Sequence, residues 1–388
     1  MKIVFDANPI CADKLTGIGY SQKEICRALM DLYPDETYQM NYFSLTDRKG
    51  KHKRMSKYIK GNTDLKEFPL LSAGIYKLIY GFVPLPYRMM FGRGDITHFF
   101  NFLIPPGVKG KKVCTIHDLA FIRYPDTVNL RTRRMLHLNI KRTIKRADKI
   151  FVVSEFTGKE LKELYGVGDS KICVVYNAID RELYRPITMD EQGKGILKKY
   201  GIEDKNYILY LGTIEPRKNL ERLITAYART VEKLKRCEKD IPPLVLAGKL
   251  GWYYDKILER IKAEGIEDRV KMPGYVPDED KPYLYSSALA FAFPSLYEGF
   301  GMPVIEAMAC GAPVLTSNVS SLPEVAGNCA VLCDPLSEFS IAKGLYRLIT
   351  EPELREELTE KGLERSRHFT WEESAKKTYE VYRSLLGK

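Results

Sequence analysis

Two glutamates, two adjacent cations and one histidine are the residues of this chain whose types and spacing could do chemistry. Glu298 and Glu306 flank the run Gly299-Phe300-Gly301-Met302-Pro303. Pro303 suits the first turn of a helix, where its missing N–H costs nothing. Val304, Ala307 and Met308 then give that helix an apolar face, until Gly311 and Pro313 end it. A glycine-rich approach to a helix start aims backbone N–H groups and the positive end of the dipole at one spot, a ready anion site. Glu298 falls in the loop and Glu306 on the helix, so both could address one polyhydroxyl ligand at different points. The same spacing also fits Glu298 as a cap and Glu306 facing water.

Arg217-Lys218-Asn219 follows the apolar run Tyr207–Leu211 and the turn at Gly212-Thr213. Asn219 reads as the N-cap of the next helix, which leaves Arg217 and Lys218 in a strand-to-helix loop. There they could balance a diphosphate, or simply lie on a solvated face. His117-Asp118 closes the apolar run Val113–Ile116, the strand end where α/β sheets bind ligands, although a structural histidine fits equally. Gly17-Ile18-Gly19 follows the first strand and permits close backbone approach to a ligand. Gln22 stands where a dinucleotide fingerprint would need its third glycine.

The elements that must position these residues are short apolar runs alternating with helical periods. In the first half the strand candidates are Ile3–Phe5, Gln39–Ser44, Ile96–Phe100, Val113–Ile116, Ile150–Val153 and Ile172–Val175. In the second they are Tyr207–Leu211, Leu244–Ala247, Val270–Met272, Leu289–Phe293, Val314–Thr316 and Val331–Cys333. Strands apolar on both faces, separated by helices, argue for parallel sheets covered on each side. The pattern occurs twice, around a polar linker from 177 to 206 that contains Pro186 and the turn signal Gly193-Lys194-Gly195. The expected domains are residues 1–184 and 185–369, joined once and facing across a cleft, with a helix at 370–388 that can pack back on the first.

Charge is distributed unevenly. The 388 residues carry a net +11, but residues 1–186 hold 32 basic and 19 acidic side chains, and the remainder 29 and 31. The first half is therefore +13 and the second −2, which disfavours a general nucleic-acid coat. Met1 to Asp6 reaches an acid after three apolar residues, so no signal-peptide core is expected and a cytoplasmic location is. No run of eighteen apolar residues occurs, the nearest being Phe68 to Pro86, interrupted by Lys77 and two prolines. Eight cysteines without a Cys-x-x-Cys pair are expected as reduced thiols.

Arg217-Lys218-Asn219, followed some eighty residues later by Glu298-Gly-Phe-Gly-Met-Pro-x-x-Glu306, resembles the retaining nucleotide-sugar glycosyltransferases of family 4, the large group 1 family. Pro313-Val314-Leu315, Leu322-Pro323-Glu324-Val325 and Asp334-Pro335 continue the similarity. The resemblance implies a GT-B fold, two Rossmann-like α/β domains across an active-site cleft. It implies that Arg217 and Lys218 hold the donor diphosphate and Glu306 the nucleotide ribose. Glu298 would touch hydroxyls of the transferred sugar, helped by backbone at Phe300 and Gly301. Val276, in Gly274-Tyr275-Val276, would border the base, Gly19 would approach the phosphates, and His117 would stand beside the sugar. The chain departs from the family where Thr213 and Tyr20 occupy positions at which an arginine is usual.

The chemistry so implied is transfer of a hexose with retention at the anomeric carbon. GDP-mannose is the leading donor, UDP-glucose the next, and the acceptor is a glycan or lipid-linked saccharide of surface polysaccharide synthesis. No Asp-x-Asp run is read beside a strand end, so a metal-independent reaction without cofactor is expected. Fixed donors would then stabilise the leaving diphosphate, each contributing on the order of 3 kcal/mol. A sugar-nucleotide epimerase or a phosphorylase would explain the two domains but not this motif set. An exported sugar-binding protein would need a leader. Lys51, Lys53, Arg54, Lys57 and Lys60 precede the aromatic run Phe68, Tyr76, Tyr80, Phe82, Tyr87 and Phe91. Seven more basic residues lie between Arg131 and Arg146. Together they suggest peripheral contact with an anionic membrane at its inner face, the rings at the interface, or else a solvated helix and core aromatics.

Overall fold

The computed structural model describes residues 1–13, 15–79, 86–202, 206–249 and 254–388, with the side chains of 78 and 79 left aside. Tyr80 and Phe82, and that part of the Phe68 to Pro86 stretch, lie outside the described residues. Two units divide the chain: Met1–Ala178 with Trp371–Lys388, and Ile179–Thr370. The chain therefore crosses between them twice and not once. The first boundary falls six positions before residue 184, whose tyrosine packs near Tyr285 of the second unit.

The first unit holds strands β1 (Lys2–Asp6), β2 (Thr37–Phe43), β3 (Thr63–Phe68), β4 (Ile96–Phe99), β5 (Lys111–Ile116), β6 (Lys149–Val152) and β7 (Ile172–Val174). They form one parallel sheet in the order β3-β2-β1-β4-β5-β6-β7. Its direction of winding reverses between β1 and β4, the place where such sheets bind ligands. Helices α1 (Gly17–Leu32), α2 (Arg48–Ser56), α3 (Ala73–Ile79), α4 (Tyr87–Phe91), α5 (Ala120–Arg123), α6 (Leu130–Arg146) and α7 (Glu155–Tyr165) connect the strands. β3 was missed in the sequence because Thr63-Asp64-Leu65-Lys66-Glu67-Phe68 is an edge strand. It pairs with β2 alone and alternates between burial and water, so it lacks a continuous apolar run.

The glycine run Gly17-Ile18-Gly19 lies inside α1. Thr16 caps it, its hydroxyl accepting from the Gly19 N–H at 3.4 Å, so the glycine run is the first turn of α1 and not a loop before it. Of the two readings of the aromatic run, the core one holds for three of its described rings. Tyr76, Tyr87 and Phe91 are buried in one cluster with Phe43 and Phe99, and so are core residues and not rings offered to a membrane.

In the second unit β8 (Ile208–Leu211), β9 (Leu244–Ala247), β10 (Val270–Gly274), β11 (Ala290–Phe293), β12 (Val314–Ser317) and β13 (Ala330–Cys333) form a parallel sheet. Its order is β10-β9-β8-β11-β12-β13, and the winding reverses between β8 and β11. β8, β9, β11 and β12 are buried throughout, as strands covered on both faces must be. Helices α8 (Glu191–Lys199), α9 (Leu220–Arg236), α10 (Tyr254–Ala263), α11 (Lys281–Ser287), α12 (Met302–Ala309), α13 (Leu322–Ala326), α14 (Glu338–Thr350) and α15 (Pro352–Ser366) complete the unit. The supposed linker turn Gly193-Lys194-Gly195 lies inside α8, because Asp190 accepts from the Gly193 N–H at 2.9 Å and starts a helix there.

The last helix, α16 (Trp371–Leu385), belongs to the first unit and packs on α1. Tyr379 stacks on Tyr33 with ring centres 3.6 Å apart, and Tyr382 is fully buried.

Candidate functional site

The switch point of the second sheet gathers most of the residues singled out by their chemistry. β8 delivers Gly212 to Glu215, then a single 3-10 turn at Pro216–Lys218. β11 delivers the loop from Pro294 to Gly301. Backbone and hydroxyl contacts stitch the two loops together. The Leu296 N–H donates to the Arg217 carbonyl at 2.9 Å, and Ser295 Oγ lies 3.1 Å from the same oxygen. Asn219 occupies the N-cap position of α9 but does not cap it. Its amide donates to the carbonyls of Pro294 and Pro335, at 3.0 and 2.7 Å, and so ties three loops to one side chain.

Within that frame the charges are paired. Glu298 Oε1 is 2.5 Å from Lys218 Nζ, and its Oε2 is 2.9 Å from Arg217 Nη1. Ser295 Oγ approaches Oε1 at 2.7 Å. Arg217 also donates to the Tyr297 carbonyl at 2.6 Å and to Glu215 at 2.7 Å. Lys218 and Glu298 are almost wholly buried, at 9% and 8% exposure. Burial alone would raise the Glu298 pKa, but Arg217 and Lys218 outweigh it and hold the carboxyl at about 2. Lys218 is pulled below the usual amine value by burial and by Arg217, with Glu298 opposing. Arg217, Lys218, Glu298 and Glu215 together sum to no net charge. The two cations are thus not idle before a ligand arrives, which the sequence could not show. Glu215 was also overlooked as their second counter-charge.

Glu306 sits on α12 in a different environment. Tyr285 donates to its Oε2 at 3.0 Å, and burial raises its pKa against the pull of Lys281. Lys281, itself mostly buried, pairs with Asp278 at 2.5 Å. Sequence reasoning missed Lys281 and Tyr285; their four-residue spacing on α11, beside the loop after β10, was the available signal. That loop carries Val276, whose side chain is buried, while Tyr275 is exposed. It also carries Asp278-Glu279-Asp280, so an Asp-x-Asp run does stand near a strand end, contrary to the reading above. Both aspartates are engaged by lysines, Asp278 by Lys281 and Asp280 by Lys199 at 2.8 Å.

Gly301 precedes α12 with φ at +105°, a conformation that side chains resist, and a Cβ there would meet Leu322 at 2.7 Å. Phe300 is buried edge-on against Phe369, and its carbonyl accepts from Ser321. Thr213 contributes its carbonyl to the Tyr210 hydroxyl at 2.9 Å.

His117 and Gly19 belong to the first unit. His117 follows β5, is 8% exposed, and its Nε2 donates to the Phe100 carbonyl at 2.8 Å. Burial lowers its pKa, so it is neutral near pH 7. Asp118 accepts from the Ala120 N–H at 3.0 Å and so orients the loop. The Gly19 N–H is used by Thr16, and a Cβ at 19 would lie 2.9 Å from the Pro9 carbonyl oxygen.

The second of the two parallel α/β units thus sets paired cations and carboxylates at the switch point of its sheet, the place where open α/β sheets bind ligands. Residues 194–365 match the family model described as glycosyl transferases group 1, and residues 45–183 match glycosyltransferase family 4. The chain is 32% identical to the O-antigen chain mannosyltransferase B of Escherichia coli, over 99% of its own length and all of the relative's. It is 31% identical to the serotype-specific mannosyltransferase WbdA of Escherichia coli, over 77% of this chain but 37% of that longer one. The chain belongs to the group 1 glycosyltransferase family. Solved structures agree on the fold. The sucrose-phosphate synthase of Thermosynechococcus elongatus superimposes with a TM-score of 0.74 at 19% identity, covering 100% of this chain and 99% of that one. WaaG, a glycosyltransferase involved in lipopolysaccharide biosynthesis, gives 0.72 at 16% identity with both chains fully covered. The two units are those of the GT-B fold.

Proposed function

We propose that the protein transfers mannose from GDP-mannose, with retention of anomeric configuration, onto a glycan or lipid-linked acceptor in surface polysaccharide synthesis. The full-length similarity to an O-antigen chain mannosyltransferase is the observation that carries the choice of sugar. UDP-glucose is the second donor to try. In this reading the donor diphosphate lies against Arg217 and Lys218 and takes over from Glu298 as their counter-charge. The carboxylate so released accepts from hydroxyls of the sugar, and Glu306 accepts from the ribose. Leaving-group charge is stabilised by the two fixed cations and by backbone at the start of α12, so the reaction runs without a metal. Retention follows from same-face substitution, the leaving phosphate accepting the acceptor's proton.

Donor turnover over a set of UDP-, GDP-, dTDP- and ADP-sugars tests the assignment, with product anomers read by NMR. Glu298→Ala and Lys218→Ala should each lose most turnover, and EDTA should change little. Strong inhibition by EDTA would overturn the metal-free part, and an inverted product the retention.

The acceptor reading extends to a surface. On α6, Arg131, Arg134, Lys141, Arg142 and Lys145 are exposed beside Leu130 and Leu138, which are 49% and 71% exposed. Cations with apolar side chains between them suit an anionic lipid surface, and peripheral contact there would bring a membrane-borne acceptor to the first unit. No helix among the described residues is long and apolar enough to cross a membrane.

A further inference from the structure

A buried histidine connects the last helix of the chain to His117. His98 lies on β4 with no exposed surface. Its Nδ1 is 2.6 Å from the Tyr382 hydroxyl on α16, and its Nε2 is 2.7 Å from the Thr115 hydroxyl on β5. A hydroxyl can donate or accept, so each nitrogen is satisfied in either tautomer, and the ring cannot turn without breaking both bonds. One face of the ring stacks on Phe100, with centres 3.8 Å apart and planes 26° from parallel. Phe151 and Tyr382 meet it at steep angles, 81° and 83°.

Phe100 is the residue whose carbonyl holds His117. A carbonyl only accepts, so the single proton of neutral His117 stays on Nε2, and Nδ1 keeps its lone pair. Thr115 braces the same loop from the other side, its carbonyl accepting from the Phe102 N–H at 3.2 Å. Phe102 in turn lies against the His117 ring at 6.0 Å.

We propose that Tyr382, acting through His98 and the Phe100 peptide, is a positioning residue that keeps His117 in the tautomer whose Nδ1 accepts a hydrogen bond from a ligand hydroxyl. The proposal rests on the reading of His117 as a residue beside the transferred sugar. Without the Tyr382 hydroxyl, His98 loses one of its two restraints, the stacked Phe100 loses its fixed platform, and the Phe100 carbonyl no longer meets Nε2 in one geometry. α16 is then part of the site's machinery and more than a cover for α1.

Tyr382→Phe removes one oxygen and leaves the ring to pack, so the variant tests the bond and not the fold. Its kcat should fall about fivefold, the worth of one ordinary hydrogen bond, while the KM for the donor stays within about twofold. In histidine-labelled protein, nitrogen NMR should show His117 as the Nε2–H form in the parent and a mixture of tautomers in Tyr382→Phe. In a His117→Ala background the same change should cost nothing further. A Tyr382→Phe variant with parental kcat and an unchanged His117 spectrum overturns the proposal, and so does a loss that multiplies with His117→Ala. If His117→Ala itself turns over normally, the role given to His117 fails, and the tautomer spectrum alone then decides whether Tyr382 positions it.

Discussion

At the ends of β8 and β11 the second unit gathers two cations and two carboxylates in one hydrogen-bonded set, with Lys218 and Glu298 buried. At the end of β5 the first unit buries a neutral imidazole against a backbone carbonyl and keeps its cations outside, on α6. The difference follows from the cost of burying charge. An isolated ion in the interior is expensive, so Glu298, Lys218 and Arg217 can be dry only as a group. An imidazole escapes the same cost by giving up its proton, which is why His98 and His117 both have lowered pKa values. One unit therefore holds a preset charge pattern, the one that the proposed function gives to a diphosphate. The other holds preset hydrogen-bond directions, suited to a partner recognised by its hydroxyls.

Breaking the paired set should have the largest effect. Glu298→Gln leaves Arg217 and Lys218 buried with half their counter-charge, and loss of one partner of a buried pair costs about 3–5 kcal/mol. Thermal unfolding should show the variant several degrees less stable at pH 7. The pH dependence has a definite sign. The unfolded chain protonates Glu298 near 4.5, its ordinary value, and the folded chain only near 2. The stability it contributes is therefore complete above about pH 4.5 and is lost as the pH falls towards 2, so parent and variant should converge in that window. A gap that stayed constant with pH would mean that packing and not charge sets the difference.

A smaller effect is expected at Lys281→Met. Removing the cation that opposes burial should push the Glu306 carboxyl further up. Donor KM should then rise by about tenfold, with kcat nearly kept and the rise shrinking as the pH increases. An equal fall in kcat would place Lys281 in the transition state and not merely in binding. The smallest effect belongs to the outside of the first unit. Reversing Arg134, Lys141 and Lys145 to Glu should leave turnover of a soluble acceptor unchanged, yet abolish flotation with anionic liposomes. If the parent floats with neither neutral nor anionic liposomes, the membrane reading is removed.

The interior of this fold was largely legible in the sequence, because a parallel strand covered on both faces must be apolar from end to end. Val113–Ile116 and Leu244–Ala247 could be read directly. β3 could not, since an edge strand such as Thr63–Phe68 carries Asp64, Lys66 and Glu67 without penalty. Local glycine signals misled where a side chain two or three positions away had already committed the backbone, as Asp190 does for Gly193 and Thr16 for Gly19. At the paired set on β8 and β11, residue types and loops were readable from spacing. The contact between Lys218 and Glu298 was not, because it joins positions 80 apart through a sheet order that no local pattern encodes. The aromatic run was left open between an interface and a core because basic residues precede it, and Tyr76, Tyr87 and Phe91 took the core.

The return of α16 to the first unit also bears on the order in which the molecule is made. The whole of Ile179–Thr370 leaves the ribosome before the residues that complete the first unit. Until Trp371–Leu385 emerges, the face of α1 that it covers has no partner and His98 lacks the hydroxyl at its Nδ1. The Met1 amine meets Glu36, and Tyr379 donates to the same carboxylate at 2.5 Å, so β1 and α16 are tied through one side chain. The basic unit is thus completed only by a segment made after the whole of the second unit, whose sheet has all its strands by then.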